Sequence, residues 1–418
     1  MKYLLIFFTV ILSIVILTII FIKKIYVTDL YKSIDHQKKI IYFGQTLDLD
    51  NEISGNYSVG FQLAFQCINR NGGVNGYKLN IILYNDKYEP VLASNNAKIL
   101  VDYFNVLALI GTFGTPTTVS ILNDTIKSRP IPLIGPFTAS TVYRTEFNKY
   151  LIIMNSSFHS EFKLNFEHMK ENNIKNIGII YQNDIYGSSF YNSFIENIIM
   201  KNTNINIIST GTYERNSVDL DKCYQTLFNI KNPYDYSEVL NSDNLKKIDA
   251  VILFVTEKQI SRILGYLKRI KPSIFIYYNF FVGNLNINYK DLDNYNRENI
   301  YQTLLTPVEL SQNYPILYKK IKEEIDIYQK NNNIVIHESQ TLYQGFYTGL
   351  LISEVLKKFK NFKKLNRENF IETFYNIQNF DIYGLKIGPF IDNKSNIGFN
   401  KAFLNKIVGD HLHTIKTI

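Results

Sequence analysis

Short apolar segments that alternate with longer amphipathic segments are the feature that most limits how this chain can fold. In the first half, apolar segments of strand length begin near Ile40, Leu79, Val106 and Ile131, and segments with helical spacing of apolar residues lie between them. Short buried strands that alternate with helices are typical of a parallel sheet covered by helices on both faces. The sequence therefore predicts an α/β fold.

The same alternation starts again in the second half of the chain. There the strand-like segments "NIGIIYQ", "INIIST", "AVILFV" and "SIFIYYN" alternate with helical ones. A chain of 418 residues is also longer than one typical domain. We therefore predict two α/β lobes of similar build, and we interpret the polar, turn-rich stretch 231–248 as a surface insertion.

The N-terminal segment predicts export from the cytoplasm. Tyr3 to Ile22 is one uncharged apolar run, long enough to span a bilayer, with lysines on both sides. No small-x-small cleavage site and no lipid-acceptor cysteine follows it, which favours an uncleaved signal anchor over a cleaved signal peptide in residues 1–24. We expect the rest of the chain in the periplasm or at the cell surface, anchored in the cytoplasmic membrane.

Charge, cysteines and histidines argue against nucleic acid, metal and cofactor binding. The net charge of +8 comes from lysines spread along the chain, with no dense basic block. Cys67 and Cys223 lack the spacing of metal or redox motifs, and the pair His411 and His413 is isolated from other metal ligands. We predict no metal site, no cofactor and no nucleic-acid partner.

Sequence motifs of enzymes are also missing. The chain contains no Gly-x-Ser-x-Gly elbow, no Walker loop, no Gly-x-Gly-x-x-Gly and no His-Glu-x-x-His. The histidine nearest to a plausible cleft segment is His159, and no nucleophile is apparent beside it. We therefore predict that the protein is not an enzyme.

The loop "GTFGTPTT", residues 111–118, is a candidate binding site. It follows an apolar strand, and ligands of open α/β sheets bind beyond the carboxyl ends of strands. Two glycines allow close approach of a ligand, and Thr115 offers a neutral hydroxyl. Thr117 or Thr118 would cap a following helix, Val119–Lys127, whose free N–H groups suit a carboxylate. The alternative is an ordinary turn with a helix cap.

The order of several motifs resembles a known family. The segments "YFGQTLDLD", "NRNGGVNGYKLNIILYND", "LIGTFGTPTT", "IPLIGPFTAST", "IIYQNDIYGSSF", "SQTLYQGFYTG" and "YGLKIGPFIDNKSNIGF" occur in the order found in type 1 periplasmic ligand-binding proteins. The leucine/isoleucine/valine-binding proteins of ABC transporters belong to that family. The resemblance covers about residues 38–416. No single motif carries it; the ordered set does.

The resemblance implies a fold of two Rossmann-like lobes with parallel sheets that close on a ligand held between them. Three crossovers would join the lobes, near Met154, residues 302–307 and residues 380–388. Lobe 1 would comprise residues 38–154 and 307–380, and lobe 2 residues 155–302 and 388–416.

The resemblance also implies a set of ligand-binding residues. Thr115 falls where the family uses a serine to hold the ligand carboxylate, and Tyr186 falls on a tyrosine that covers the ligand. The second loop of lobe 1 leaves the register between Thr138 and Ala139 open, and Thr256 replaces another family tyrosine. The full set predicted to bind the ligand is Gly114, Thr115, Thr117, Phe137, Thr138, Ala139, Tyr186, Thr256 and Phe281.

Phe281 departs from the family pattern. Amino-acid binders carry a glutamate near this place, which pairs with the ammonium group of the ligand. A buried ammonium without a carboxylate partner costs several kcal/mol, so an amino acid would need Asp48, Asp184 or Glu257 as a substitute partner. Asp184 also has an alternative role as a helix cap. Phe137 and Phe281 would give aromatic walls, which suit a small acid, an amide or an aromatic compound.

Two functions follow from the resemblance. The first is an extracytoplasmic solute-binding protein that captures a small polar molecule, such as an amino acid, an amide or a small carboxylate, and delivers it to an ABC permease. The second is a membrane-tethered receptor ectodomain that senses such a ligand and signals through a separate sensor protein. In both, the partners are a small-molecule ligand, a membrane protein and the membrane itself through the N-terminal helix.

Overall fold

The computed structural model describes residues 32–200, 203–282, 297–307, 310–408 and 411–418. The predicted signal anchor or signal peptide, residues 1–24, lies outside these ranges. Among the described residues, no helix has the length and apolar character needed to cross a membrane.

The strands are short and mostly buried, as the apolar segments of the sequence predict. They are β1 Ile34–Asp35, β2 Ile40–Leu47, β3 Lys78–Asn85, β4 Leu109–Ile110, β5 Leu133–Ile134, β6 Leu151–Ile152, β7 Asn176–Gln182, β8 Asn206–Tyr213, β9 Ala250–Phe254, β10 Phe275–Tyr278, β11 Ile300–Leu304, β12 Phe380–Ile382, β13 Leu385–Ile387, β14 Phe403–Val408 and β15 His411–Thr417.

Most of the helices cover the sheets with one apolar face, whereas the helix Gln340–Leu356 is buried on nearly all sides. They are α1 Glu52–Arg70, α2 Pro90–Lys98, α3 Thr115–Ile121, α4 Phe158–Glu171, α5 Ile185–Met200, α6 Asp221–Phe228, α7 Tyr236–Asn241, α8 Asp243–Lys247, α9 Glu257–Ile270, α10 Leu310–Asn313, α11 Pro315–Asn332, α12 Gln340–Leu356 and α13 Arg367–Ile377. Single π-helical turns, Ile99–Tyr103 and Leu122–Ile126, extend α2 and α3.

Two large sheets form the cores of two lobes. The first sheet has the strand order β1-β2-β4-β5-β6, with β3 paired to β2, and all its pairs except β1–β2 are parallel. The second has the order β15-β14-β11-β10-β9-β7-β8 and is parallel from β11 to β8. We call the parts built on these sheets lobe 1 and lobe 2. The α/β class with parallel sheets is confirmed.

The chain passes between the sheets three times. It leaves the first sheet after β6, leaves the second after β11, and returns to the second at β14 after the hairpin β12–β13. Helices α12 and α13 pack on lobe 1 between the last two passages, since α12 contacts α1 and Arg367 of α13 donates to the carbonyl of Val106 at 3.1 Å. The residue boundaries given above for the two lobes stay predictions.

Helices α1 and α12 cross at very short distance because glycines line their contact. A Cβ atom on Gly60 would overlap the carbonyl oxygen of Leu342, and one on Gly345 would overlap that of Tyr57. Only residues without side chains allow two helix backbones to approach this closely. This crossing fixes the later helices onto lobe 1.

The helix predicted at Val119–Lys127 begins earlier, at Thr115. Gly114 precedes it with a φ of 91°, and Pro116 lies in the first turn, where its missing N–H costs nothing. The predicted caps are therefore wrong. Thr117 and Thr118 lie inside the helix, and the Thr117 hydroxyl donates back to the carbonyl of Phe113.

The predicted insertion, residues 231–248, contains two short helices, α7 and α8. Their first N–H groups are capped by the side chains of Asp235 and Ser242. The insertion packs on lobe 2, where the hydroxyl of Ser242 donates to the carbonyl of Phe228 at 2.5 Å and that of Tyr236 to the carbonyl of Arg269 at 3.4 Å.

Candidate functional site

The predicted site residues lie where the carboxyl ends of the strands of both lobes meet. The loops after β4 and β5 supply lobe 1, and the segments after β7, β9 and β10 supply lobe 2. Direct contacts join the two sides, for example the hydroxyl of Ser140 donating to that of Ser189 at 3.0 Å. This edge of the parallel sheets is the place where α/β proteins bind ligands.

Lobe 1 contributes a pair of buried hydroxyl groups. The Oγ1 atoms of Thr115 and Thr138 lie 2.7 Å apart, and both residues are buried. The pair joins the two loops of lobe 1 that the sequence analysis selected. Of the two residues in the uncertain register, Thr138 rather than Ala139 points its side chain at Thr115.

Lobe 2 contributes the phenol of Tyr186, which is fully buried. Its hydroxyl donates to the carbonyl of Val255 at 3.2 Å and accepts from Nδ2 of Asn279 at 2.6 Å. Burial raises the pKa of Tyr186 well above its ordinary value. The group is therefore a neutral donor and acceptor, as are the two threonine hydroxyls.

Aromatic rings from both lobes meet beside the segments that carry these polar groups. The ring centroid of Phe281 lies 4.8 Å from those of Phe113 and Tyr186, and 6.2 Å from those of Tyr88 and Phe137. Phe113 and Phe137 also stack at 5.1 Å. We call these five residues the aromatic cluster. The ring of Phe281 contacts the other four rings. Those of Tyr88, Phe113 and Phe137 belong to lobe 1, and that of Tyr186 belongs to lobe 2.

The aromatic cluster fills the space between the lobes. The cavity left beside it has a volume of about 10 Å³, roughly what one water molecule needs. It is lined by Asp48, Asn51, Tyr88, Phe113, Asn216, Thr256, Glu257, Lys258 and Phe281. The expectation that the lobes leave room for a ligand is therefore wrong for this conformation, in which the chain's own side chains close the gap.

Larger cavities lie elsewhere on lobe 2. One of about 580 Å³ lies between α6 and α9, and one of about 600 Å³ lies beside α4. Neither is lined by a residue that the sequence analysis predicted to bind a ligand. Volume alone therefore does not identify the functional site.

The carboxyl groups predicted as substitute partners for a ligand ammonium are those of Asp48, Asp184 and Glu257. Asp184 accepts from the N–H groups of Tyr186 and Gly187, at 2.9 and 3.2 Å, and so caps α5. Asp48 and Glu257 line the small cavity, and burial raises the pKa of both. Glu257 already accepts from Asn51 at 2.5 Å.

The remaining predicted residues support the loops. Gly114 lies against the ring of Tyr88, with which a Cβ atom would overlap. The hydroxyl of Thr256 donates to Gln259 at 2.6 Å, within the first turn of α9. Ala139 is fully buried, and its carbonyl accepts from the N–H of Phe158 at 3.0 Å. Their roles in ligand binding stay predictions.

No sequence pattern indicated Tyr88, Glu161 or Asn279 as residues of the site. Glu161 is fully buried in α4 and accepts from the N–H of Phe280 at 3.3 Å and from the hydroxyl of Thr303. Burial raises its pKa to about 8. Its apolar neighbours in "FHSEFKLNF" are a signal for burial, but the strands that cover the carboxyl group come from more than a hundred residues later.

Polar contacts around the rim also join the lobes. Glu89 accepts from Arg215 at 2.8 Å and from Asn216 at 3.0 Å, and Thr141 lies 2.8 Å from Ser193. We call the group of Glu89, Arg215 and Asn216 the interlobe latch. It holds lobe 1 against lobe 2 next to the aromatic cluster.

A metal site in the described ranges would need His, Cys, Asp or Glu side chains grouped together. No group of three or more His, Cys, Asp or Glu residues within them could hold a metal ion. Cys67 and Cys223 are buried, and both are free thiols.

Comparison with known proteins confirms the resemblance. The sequence model of a family described as "Periplasmic binding protein" matches residues 50–225. Among curated proteins, none matches the chain.

Solved structures with this fold include binding proteins of amino-acid transporters. A possible leucine/isoleucine/valine-binding protein from Rhodopirellula baltica has a TM-score of 0.75 at 20% identity, over 91% of this chain and 97% of that one. The substrate-binding protein of a branched-chain amino acid transporter from Streptococcus pneumoniae, in complex with isoleucine, has a TM-score of 0.69 at 17% identity, over 91% and 99%. A branched-chain amino acid ABC transporter protein from Thermus thermophilus, with bound valine, has a TM-score of 0.73 at 12% identity, over 91% of this chain and 96% of that one. At these identities the likeness shows the fold.

Proposed function

We propose that this chain, which has the fold of the type 1 periplasmic binding proteins, is an extracytoplasmic solute-binding protein rather than an enzyme. It captures a small polar molecule between two Rossmann-like lobes joined by three crossovers, and it delivers that molecule to an ABC transporter. An amino acid, an amide or a small carboxylate is the expected class of ligand.

The observation that carries this proposal is a set of buried neutral hydroxyls at the strand ends of both lobes. The hydroxyls of Thr115 and Thr138 come from lobe 1 and that of Tyr186 from lobe 2, and all three are buried at the ends of the sheets. Hydroxyl groups both donate and accept, so they can hold the carboxylate or amide of a solute without a charged partner. Contacts to both lobes would favour closure around the ligand.

Binding requires a rearrangement of the closed form. Since the aromatic cluster fills the gap, a ligand enters only when the lobes separate or Phe281 moves out. Opening and closing about a few hinge segments is the general motion of two-lobed binding proteins. The three passages of the chain between the sheets are the places for such hinges.

Delivery to a permease is supported by the known proteins with this fold, several of which are named for amino-acid transport. The apolar segment Tyr3 to Ile22 supports anchoring in the cytoplasmic membrane, which would hold the binding lobes next to a membrane partner.

A ligand screen tests the proposed function. The full-length protein is titrated with amino acids, amides, and aliphatic and aromatic acids while its melting temperature is measured, since a ligand that binds only the folded state raises it. We expect Thr115→Val and Tyr186→Phe each to weaken binding of the identified solute by roughly five- to thirtyfold, the equivalent of about 1 to 2 kcal/mol for a lost hydrogen bond.

Matched substitutions control for effects on the fold. Thr125→Val and Tyr347→Phe remove buried hydroxyls that have no hydrogen-bond partner in the described part of the chain and that line no predicted site. They should leave the affinity within about twofold, which is the usual effect of a change that touches no ligand. Normal affinity in both Thr115→Val and Tyr186→Phe would contradict the assignment of the site.

A further inference from the structure

We infer that Phe281 occupies the position of a ligand ring, so that the solute carries a single aromatic ring and has to displace Phe281 to bind. This inference rests on the proposed function and narrows its class of ligand. Phe281 then occupies the ligand position in the closed form without ligand, and it determines which ligands bind, since a ligand has to replace its ring.

The ring of Phe281 lies between the two lobes. The residue belongs to lobe 2, in a 3-10 turn, Phe280–Val282, directly after β10. Its ring is only 2% exposed and contacts Phe113, Phe137 and Tyr88 of lobe 1 as well as Tyr186 of lobe 2. A side chain of one lobe that is buried against the other makes the bridging contact that a ligand makes in a closed binding protein.

Lobe 2 fixes the turn Phe280–Val282 at its first residue. The N–H of Phe280 donates to the carboxyl of Glu161, and the Phe280 ring lies 5.1 Å from that of Phe137. The turn is therefore fixed at its first residue, and its second residue carries the ring that enters the gap. Movement of Phe281 out of the gap needs a change in this turn or a separation of the lobes.

The residues around Phe281 are themselves aromatic. The rings of Tyr88, Phe137 and Tyr186 lie at 36 to 40° to that of Phe281, and Phe113 lies at 37°. Aromatic pairs in tilted arrangements gain energy beyond the area that they bury. An aromatic ring in place of Phe281 keeps these contacts, whereas a branched aliphatic chain loses them.

Polar groups follow the aromatic residues along both loops of lobe 1. The carbonyl of Phe137 accepts from the N–H of Gly114, and the next residues along both loops are Thr138 and Thr115, whose hydroxyls form the buried pair. A ligand with one aromatic ring and a short carboxylate or amide arm fits this order of apolar and polar groups. Phenylacetate and phenylacetamide are suitable probes.

The test uses Phe281→Ala in the full-length protein. Removal of the ring leaves an apolar space, and apolar cavities on the order of 150 Å³ accept a benzene-sized molecule. Without a competing side chain, the fraction of binding-competent protein rises, and the apparent affinity rises with it. By calorimetry we expect phenylacetate and phenylacetamide to bind at least tenfold more tightly than to the wild type, and isovalerate to change by less than threefold.

Phe254→Ala is the matched control. Phe254 is also buried in lobe 2, among Phe162, Phe190 and Phe194, and it lies outside the aromatic cluster. It loses the same side chain, but the space left lies among aromatic rings and not beside the loops of Thr115 and Thr138, so the carboxylate or amide of the probes would be buried without a partner and neither probe should gain affinity. If Phe281→Ala does not fold, Phe281→Leu replaces it, with an expected gain of about threefold because part of the space stays filled.

The outcomes separate this inference from the proposed function. An equal gain for isovalerate, or no gain for the aromatic probes in either Phe281 variant, overturns the inference. If the wild type nevertheless binds a solute that Thr115→Val weakens, the proposed function stands without it. If Phe281→Ala binds the aromatic probes and the wild type binds no solute at all, the ring position is supported and the proposed function fails.

Discussion

Glu161 shows at the scale of a single residue how burial turns an acid into a neutral hydrogen-bonding group. Its carboxyl lies under Phe280 and Thr303 of lobe 2, and its second oxygen has no partner among the described residues. Because the pKa is raised to about 8, the folded protein keeps this proton at neutral pH. An unfolded glutamate has a pKa near its ordinary value of about 4.3 and loses the proton.

The stability of the protein should therefore fall as the pH rises from about 4.5 to 8. In that window the folded state binds the proton of Glu161 and the unfolded state does not, which gives a slope of up to about 1.4 kcal/mol per pH unit. Glu161→Gln cannot titrate, so the variant should lose this part of the pH dependence. Urea denaturation at pH 5, 6.5 and 8 measures the difference.

Two controls make this result specific. Asp86, whose pKa burial raises to about 7, contributes in the same direction and stays present in Glu161→Gln. Glu167→Gln changes an exposed glutamate of the same helix and should leave the dependence as in the wild type. Parallel pH curves for Glu161→Gln and the wild type would show that Glu161 is ionised in the folded state.

The sequence could not predict which polar residues line the gap. Thr115 was predicted because it falls in a loop that follows an apolar strand and matches a family pattern, and Tyr186 was predicted from the family pattern. Tyr88, Glu161 and Asn279 carry no such mark, because their surroundings come from distant parts of the chain: Glu161 meets Thr303, and Asn279 meets Tyr186. The filling of the gap by Phe281 likewise depends on the other lobe.

At the scale of elements, the glycine contact between α1 and α12 is the clearest case of packing that tolerates no side chain. A methyl group on Gly345 meets the backbone of α1 and cannot be relieved by a rotamer change. We expect Gly345→Ala to lower the free energy of unfolding by about 1 to 3 kcal/mol, as is typical of overpacked sites. Urea denaturation followed by circular dichroism measures this change.

Gly55→Ala is the control in the same pair of helices. A Cβ atom there lies 3.9 Å from its nearest neighbour, which is ordinary contact. Alanine is the better helix former, so this variant should be as stable as the wild type or more stable by up to about 1 kcal/mol. Equal stabilities of Gly345→Ala and Gly55→Ala would show that the two helices can move apart freely.

The existence of the elements followed from the sequence more reliably than their ends. Apolar runs of strand length predicted the strands because burial on both faces of a parallel sheet demands such runs. The helix predicted at Val119–Lys127 begins at Thr115 instead, because the positive φ of Gly114 and the proline in the first turn start it earlier. The backbone conformation of Gly114 thus sets the start of this helix, which the spacing of apolar side chains could not predict.

At the scale of the whole molecule, the interlobe latch sets how often the closed form opens. Glu89 and Arg215 are partly exposed, so their pairing contributes at most about 1 kcal/mol and is screened by salt. We expect Glu89→Gln to raise the radius of gyration in small-angle X-ray scattering at low ionic strength, as the lobes separate more often. The wild type should approach the variant in about 1 M salt.

Asp102→Asn provides the comparison for the latch variant. It breaks a partly exposed pair with Arg129, and both residues belong to lobe 1, so this pair does not connect the two lobes. Its scattering should match that of the wild type at every salt concentration. Identical scattering for Glu89→Gln would mean that the aromatic cluster and the other polar contacts between the lobes, such as Ser140 with Ser189, keep the lobes together without the latch.

The repeated passage of the chain between the sheets has a consequence for biosynthesis. The second sheet is completed by β14 and β15, which are made last, and the first lobe needs α12 and α13, which are made after most of the second. Lobe 1 lacks two of its helices until most of lobe 2 has been made, and lobe 2 lacks its last two strands until the end of the chain has been made. A nascent polypeptide of this design therefore completes both lobes only late in translation.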